Sequence, residues 1–229
     1  MHGTGLTGTT KREECTVQTA TPVPRKAPRP RADALRNRER IVTAAREMFV
    51  EFGPDVPLDE VARRAGVGNA TVYRNFPDRD ALVREVVCSV MDRTVRAAEQ
   101  ALSETGDAFE ALERFAHTAA DERISALCPM VSSTFDQHHP DLEDARRRAE
   151  SLVAQLMDRA KAAGQLRADV EYGDLMVGVA QLSRPPAGTG CGNADRFLHR
   201  LLQLFLDGMR APAPAVLPGT AVTVEDLRC

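Results

Sequence analysis

Between Ile41 and Leu82 glycine and proline cut the chain into short amphipathic segments, and this punctuation limits the fold more than any other feature. Ile41, Ala44, Ala45, Met48, Phe49 and Phe52 recur at i, i+3, i+4, i+7, i+8 and i+11, one continuous stripe of a helix. Gly53-Pro54 ends it, because glycine takes the left-handed conformation past a helix end and proline cannot continue the ladder. Leu58, Val61, Ala62 and Ala65 form one face of a second, short helix. Asp59 and Glu60 stand in its first turn and Arg63 and Arg64 in its last, as the helix dipole favours. Gly66-Val67-Gly68 is a tight turn, and Asn69 is expected to cap a third helix over 70–75. Only Val72 and Phe76 can anchor that helix inward, so Thr71, Tyr73 and Arg74 point elsewhere. Pro77 closes the unit, and Asp78 caps a long fourth helix carrying Leu82, Val83, Val86, Val87, Val90 and Met91.

The helical pattern continues through Ala108, Phe109, Leu112, Phe115, Ala116 and Ala119, then after Pro140 along Leu142, Ala149, Val153, Leu156 and Met157. Tyr172, Leu175, Met176 and Val179 begin a shorter helix. The last one, from Ala194 to Met209, is apolar around more than half its circumference, enough to face a core and a partner. Strand-like alternation is scarce, so the fold class is all-α: a helix-turn-helix head over 35–78 and a larger helical body over 79–210. Residues 1–34, rich in Thr, Gly and Pro, are expected to be a disordered arm with a basic run at Arg25, Lys26, Arg29 and Arg31. Residues 211–229, rich in Pro and Ala, read as a disordered tail.

The net charge of -3 hides an asymmetry: residues 25–76 hold 11 basic and 7 acidic side chains, and 77–229 hold 17 and 24. A basic head beside an acidic body suits a DNA-facing module. The five cysteines are scattered, with no C-x-x-C pair, so neither a zinc ribbon nor a disulfide framework is indicated. His138-His139 near Asp136 lacks the i,i+4 spacing of a helical metal site, and the two histidines are expected to be polar residues on a solvated loop; no metal and no cofactor are expected. No apolar run spans 18 residues and the N-terminus lacks an apolar signal core, so a cytoplasmic chain without a membrane partner is expected. Gly-rich phosphate loops, HExxH and G-x-S-x-G are absent, which argues against an enzyme, although a helical enzyme stays an alternative.

A short helix, a glycine turn and a second short helix, braced by a longer first helix, make a helix-turn-helix geometry. The residues are Arg40-Ile41-Val42-x-Ala44-Ala45-x-x-Met48-Phe49-x-x-Phe52-Gly53, then 58–67, then Ala70-Thr71-Val72-Tyr73-Arg74-Asn75-Phe76-Pro77-Asp78-Arg79-Asp80-Ala81-Leu82. Over 38–87 they resemble the N-terminal domain of the tetracycline-repressor (TetR) family of bacterial regulators. Two positions depart from the pattern: Gly68 and Asn69 stand where many members have Ser-x-Gly, and Arg79 where Lys is common.

The resemblance implies that Asn69, Ala70 and Thr71 face base edges of double-stranded DNA, while Tyr73 and Arg74 meet phosphates. Arg79 would hold another phosphate at a helix N-terminus, and Arg36 and Arg38 are further backbone candidates. It also implies a homodimer formed by the last two long helices, with Leu175, Val179, Phe197, Leu198, Leu201, Leu202 and Phe205 at the interface. The body would bind a small-molecule effector. Phe109, Phe115, His117, Cys128 and Met130 are candidate pocket residues, with Phe135, Met157, Tyr172 and Met176. The expected function is a transcriptional repressor released from a palindromic operator by that effector. A DNA-binding auxiliary factor without ligand control is the alternative.

Overall fold

The computed structural model describes residues 30–53, 55–123, 139–184, 194–213 and 215–227. They form helices α1 (Pro30–Phe52), α2 (Leu58–Ala65), α3 (Asn69–Asn75), α4 (Arg79–Ser103) and α5 (Ala108–Asp121). After residue 138 come α6 (Pro140–Ala162), α7 (Tyr172–Leu182) and α8 (Ala194–Met209). A single 3-10 turn, Glu225–Leu227, follows. The described residues contain no β-strand, only an isolated bridge between Leu166 and Arg210.

Helix α1 starts inside the stretch read as an arm. A proline is tolerated in a first helical turn, where its missing N–H has no partner, and Asp33 there suits the dipole. The earlier basic positions Arg25, Lys26 and Arg29 lie outside the described residues. Gly53, at φ +87, ends α1 with its N–H on the Phe49 carbonyl at 3.0 Å. Gly66, at φ +64, ends α2 the same way, donating to Arg63 O at 3.1 Å, while Val67 reaches Ala62 O at 3.0 Å.

Two apolar cores result. The head core gathers Ile41, Ala45 and Phe49 of α1, Val61 of α2, Val72 of α3, Phe76 and Leu82. The body core gathers Phe109, Leu112 and Phe115 of α5, Val153 and Leu156 of α6, Leu175 of α7, and Leu198, Leu202 and Leu206 of α8. Helix α4 belongs to both: Val83, Val86, Val87 and Val90 pack in the head core, Ala98 and Ala101 in the body core. Leu142 of α6 also enters the head core. A charged tie reinforces the junction. Arg46 of α1 and Arg93 of α4 both donate to Glu122 Oε2, at 2.9 and 2.7 Å, at the residue that follows α5.

The segment after Met209 is packed, against the expectation of a disordered tail. Ala211 N–H donates to Gln165 O at 2.8 Å. Buried Arg167 pairs with Asp169 through Nε and Nη2 at 2.6 and 2.8 Å and also reaches Gly208 O at 3.2 Å and Ala215 O at 2.7 Å. Further along, Gly173 N–H donates to Val222 O at 2.8 Å, and Val222 N–H to Asp174 Oδ1 at 3.1 Å. A Cβ at position 173 would stand 2.4 Å from Val222 O, so only glycine admits this approach. Composition concealed the order because it comes from long-range hydrogen bonds and not from an apolar stripe.

Candidate DNA interface and ligand cavity

Helix α3 is anchored by Val72 and Phe76, both fully buried, and its remaining surface faces out. Its start differs by one residue from the expected one. Gly68 is extended (φ -75, ψ 149), and its carbonyl accepts from Thr71 N at 2.8 Å and Val72 N at 3.4 Å. Gly68 is therefore the N-cap, and Asn69 is the first helical residue, not the cap. Asn69, Ala70, Tyr73 and Arg74 are exposed and Thr71 is half-buried, so five of the expected DNA-facing residues share one short helix. Arg74 lies along its own helix, donating through Nε to Ala70 O at 2.9 Å and through Nη2 to Thr71 Oγ1 at 3.1 Å. Asn75 Nδ2 donates to Thr71 O at 2.7 Å.

The other three arginines divide. Arg38 is a brace: Nε and Nη2 reach Glu85 at 3.2 and 2.7 Å, Nη1 reaches Asn75 O at 3.1 Å, and the guanidinium stacks 4.4 Å from the Phe76 ring centre. These partners engage Nε, Nη1 and Nη2 within the head, so in this structure Arg38 braces α3 and α4. Half-buried Arg79 donates to Val56 O, tying the start of α4 to the loop before α2 instead of extending outward. Arg36 stays on the surface, paired with Asp33.

In the body, a cavity of about 290 Å³ lies between α4, α5, α6 and α7. Met91 and Thr94 of α4, Ala119 of α5, Ala149 and Val153 of α6, and Met176, Val177 and Ala180 of α7 form much of its wall. Leu227, from the packed C-terminal segment, completes part of it. The polar groups are Arg146, Glu150, Tyr172, Thr94 and Ser183. Thr94 and Ser183 hydroxyls donate one turn back, to Val90 O at 3.1 Å and Val179 O at 2.6 Å. Arg146 lies 3.5 Å from Glu143 and 3.7 Å from Glu150, and its Nε is buried with no hydrogen bond among the described residues. Burial and the nearby Glu150 carboxylate push the Tyr172 phenol well above its ordinary range, so it keeps its proton.

Of the nine residues expected to line a pocket, Tyr172 and Met176 line this one. Phe109, Phe115 and Met157 fill the body core, each at most 2% exposed. His117 sits on the α5–α8 side, with Nδ1 2.9 Å from His199 Nδ1 and Nε2 3.0 Å from Gln203 Oε1. With Phe115 it borders a second, more polar groove beside α4, where Arg114 pairs with Glu104. Cys128, Met130, Phe135, Asp136 and His138 lie outside the described residues. Large apolar residues were the wrong signal. A cavity opens where small ones stand, here Ala119, Ala149 and Ala180.

The interface expectation is corrected in the same way. Leu175, Val179, Leu198 and Leu202 are buried inside their own protomer and cannot meet a second one. On α8 the outward apolar residues are Phe197 (55% exposed), Leu201 (48%) and Leu204 (60%), with Val177 of α7 nearby in the order of elements. Phe205 is half-buried and turns its ring onto Gly178, where a Cβ would meet it at 2.3 Å. Among the described residues no helix is long and apolar enough to cross a membrane.

Residues 41–86 match the model for bacterial regulatory proteins of the tetR family, and residues 107–211 match the model for the C-terminal domain of SbtR-like transcriptional regulators. A TetR transcriptional regulator of Streptomyces coelicolor, known from its crystal structure, is 32% identical with a TM-score of 0.58, covering 77% of this chain and 99% of that one. An uncharacterized HTH-type transcriptional regulator of Mycobacterium bovis is 39% identical over 83 residues, 36% of this chain. The chain spans about two-fifths of that relative, 42% of its length. The HTH-type transcriptional repressor LfrR of Mycolicibacterium smegmatis is 34% identical over 86 residues, 38% of this chain and 45% of the repressor. The crystal structure of LfrR in complex with proflavine, 21% identical overall with a TM-score of 0.58, covers 80% of this chain and 99% of that one and has the same fold.

Proposed function

The chain belongs to the TetR family of bacterial transcriptional regulators, and from that premise we propose that it represses transcription by binding a palindromic operator as a homodimer. The observation that carries the reading is the outward face of α3. Two buried side chains, Val72 and Phe76, hold the helix, and Asn69, Ala70, Thr71, Tyr73 and Arg74 are left toward solvent. Small residues at the helix start let the backbone approach base edges, and Tyr73 and Arg74 supply donors for flanking phosphates. Arg38 of α1 ties the end of this helix to α4, and Arg79 ties the start of α4 to the loop before α2.

Two such heads are joined through α8. Phe197, Leu201 and Leu204 form an apolar face that a second copy covers, as a two-fold, self-complementary contact requires. Half-sites then lie about one DNA turn, roughly 34–36 Å, or a multiple of it, apart.

A small molecule in the cavity releases the operator. Met91 and Thr94 of α4 line that cavity, while Val86, Val87 and Val90 of the same helix pack in the head core. A ligand that reshapes the wall therefore moves a helix that also positions the head. Useful control needs a preference of about 1–3 kcal/mol for the arrangement that does not fit DNA. LfrR, a repressor whose structure holds proflavine, supports ligand control of this kind. The place of action is the cytoplasm, where the operator lies. Selection from a random duplex library with the full-length chain, followed by sequencing, tests the reading. A palindromic consensus is expected, and no enrichment even at low salt, where phosphate contacts are strongest, refutes it.

A further inference from the structure

We propose that the cavity between α4 and α7 takes a neutral, mostly apolar molecule carrying one hydrogen-bond-accepting oxygen, bound by the hydroxyl of Tyr172. This rests on the reading of that cavity as the effector site.

Arg146, which lines the cavity, is already paired: its Nη2 lies 3.5 Å from Glu143 Oε1 and its buried Nε 3.7 Å from Glu150 Oε1. Tyr172 lines the same cavity, and its hydroxyl has no hydrogen bond among the described residues, so a ligand that supplies an acceptor gains more than its own contact. The Tyr172 phenol feels both Glu150 and Arg146, which groups the three side chains at one place, and it stays protonated because burial and Glu150 oppose its ionisation. Thr94 and Ser183 offer nothing comparable, since their hydroxyls already donate to helix carbonyls.

Charge excludes the two ionic alternatives. Arg146 stands between Glu143 and Glu150, at 3.5 and 3.7 Å, and the Glu150 side chain is only 12% exposed. A carboxylate ligand would lie beside that carboxylate in a poorly solvated wall. A cation would face Arg146 and a hydroxyl donor that it cannot satisfy. The rest of the wall is apolar, and a volume of about 290 Å³ suits a two-ring molecule with a small substituent.

Equilibrium dialysis of the full-length chain against naphthalene, 2-acetonaphthone, 2-naphthoate and 2-naphthylmethylammonium tests this with one ring system bearing no polar group, a neutral acceptor, an anion and a cation. 2-Acetonaphthone is expected to bind at least about tenfold more tightly than naphthalene, the worth of one satisfied donor, and more tightly than either ion. Tyr172→Phe, which keeps the volume, should cut that advantage by about threefold or more while leaving naphthalene binding alone. Equal binding of naphthalene and 2-acetonaphthone, or tighter binding of an ion, overturns the proposal. No binding of any probe overturns it together with the ligand-site reading. The expected binding order without loosening of DNA supports the ligand chemistry and refutes the cavity's role in release.

Discussion

Tyr73 is 52% exposed on α3, while Arg38 is folded against Phe76, Asn75 and Glu85. Their substitutions should fail in different ways. Tyr73→Ala should weaken DNA binding about tenfold on all sequences alike, the worth of one hydrogen bond to a charged phosphate, with helical content unchanged. Arg38→Ala should instead lower head stability by about 1 kcal/mol, because a half-exposed ion pair and a cation–ring contact are each worth a fraction of that. Thermal unfolding and DNA titration of both variants separate the roles. Asp169 carries a pH signature. Pairing with the Arg167 guanidinium lowers its carboxyl from 3.8 to about 2. A carboxylate depressed in the folded state stabilises above its unfolded value and loses that contribution as pH falls toward the folded one. Asp169→Asn should therefore lower the thermal midpoint at neutral pH, and the gap to the parent should close between about pH 4 and pH 2.

At the scale of elements, α8 shows what periodicity reveals and what it conceals. Its apolar residues were legible as a helix with too much apolar surface for one core, but spacing alone does not say which stripe turns inward. Leu198, Leu202 and Leu206 fill the body, and Phe197, Leu201 and Leu204 remain outside. Leu204→Glu should give a folded monomer by sedimentation, whereas Leu202→Glu should unfold the body, because it buries an unpaired charge. A Leu204→Glu chain that remains dimeric would move the interface elsewhere. The head was readable almost residue by residue, since Gly53, Gly66, Val72 and Phe76 act through local geometry. The one-residue shift at Gly68 arose because a backbone carbonyl, not the Asn69 side chain, opens α3. The cavity and the packed C-terminal segment were not readable: one depends on small side chains from four helices, the other on hydrogen bonds reaching from Gln165, Arg167 and Asp174. Gly173→Ala should detach that segment, because the new Cβ overlaps Val222, and protease cleavage within 215–227 should then accelerate.

At the scale of the molecule, α4 joins the reading head to the cavity, and Glu122 ties Arg46 of the head to Arg93 of that helix. A dimer through α8 would carry two such heads on one rigid body, so the operator should share its two-fold symmetry. The central claim is that α3 reads bases. It is tested most directly by selecting operators from a random duplex library with the parent chain and with Thr71→Ala, side by side. The account predicts a palindromic consensus for the parent and, for the variant, relaxed preference at matching positions in both half-sites, with the remaining positions kept. An identical consensus from both proteins, or one without two-fold symmetry, would contradict it.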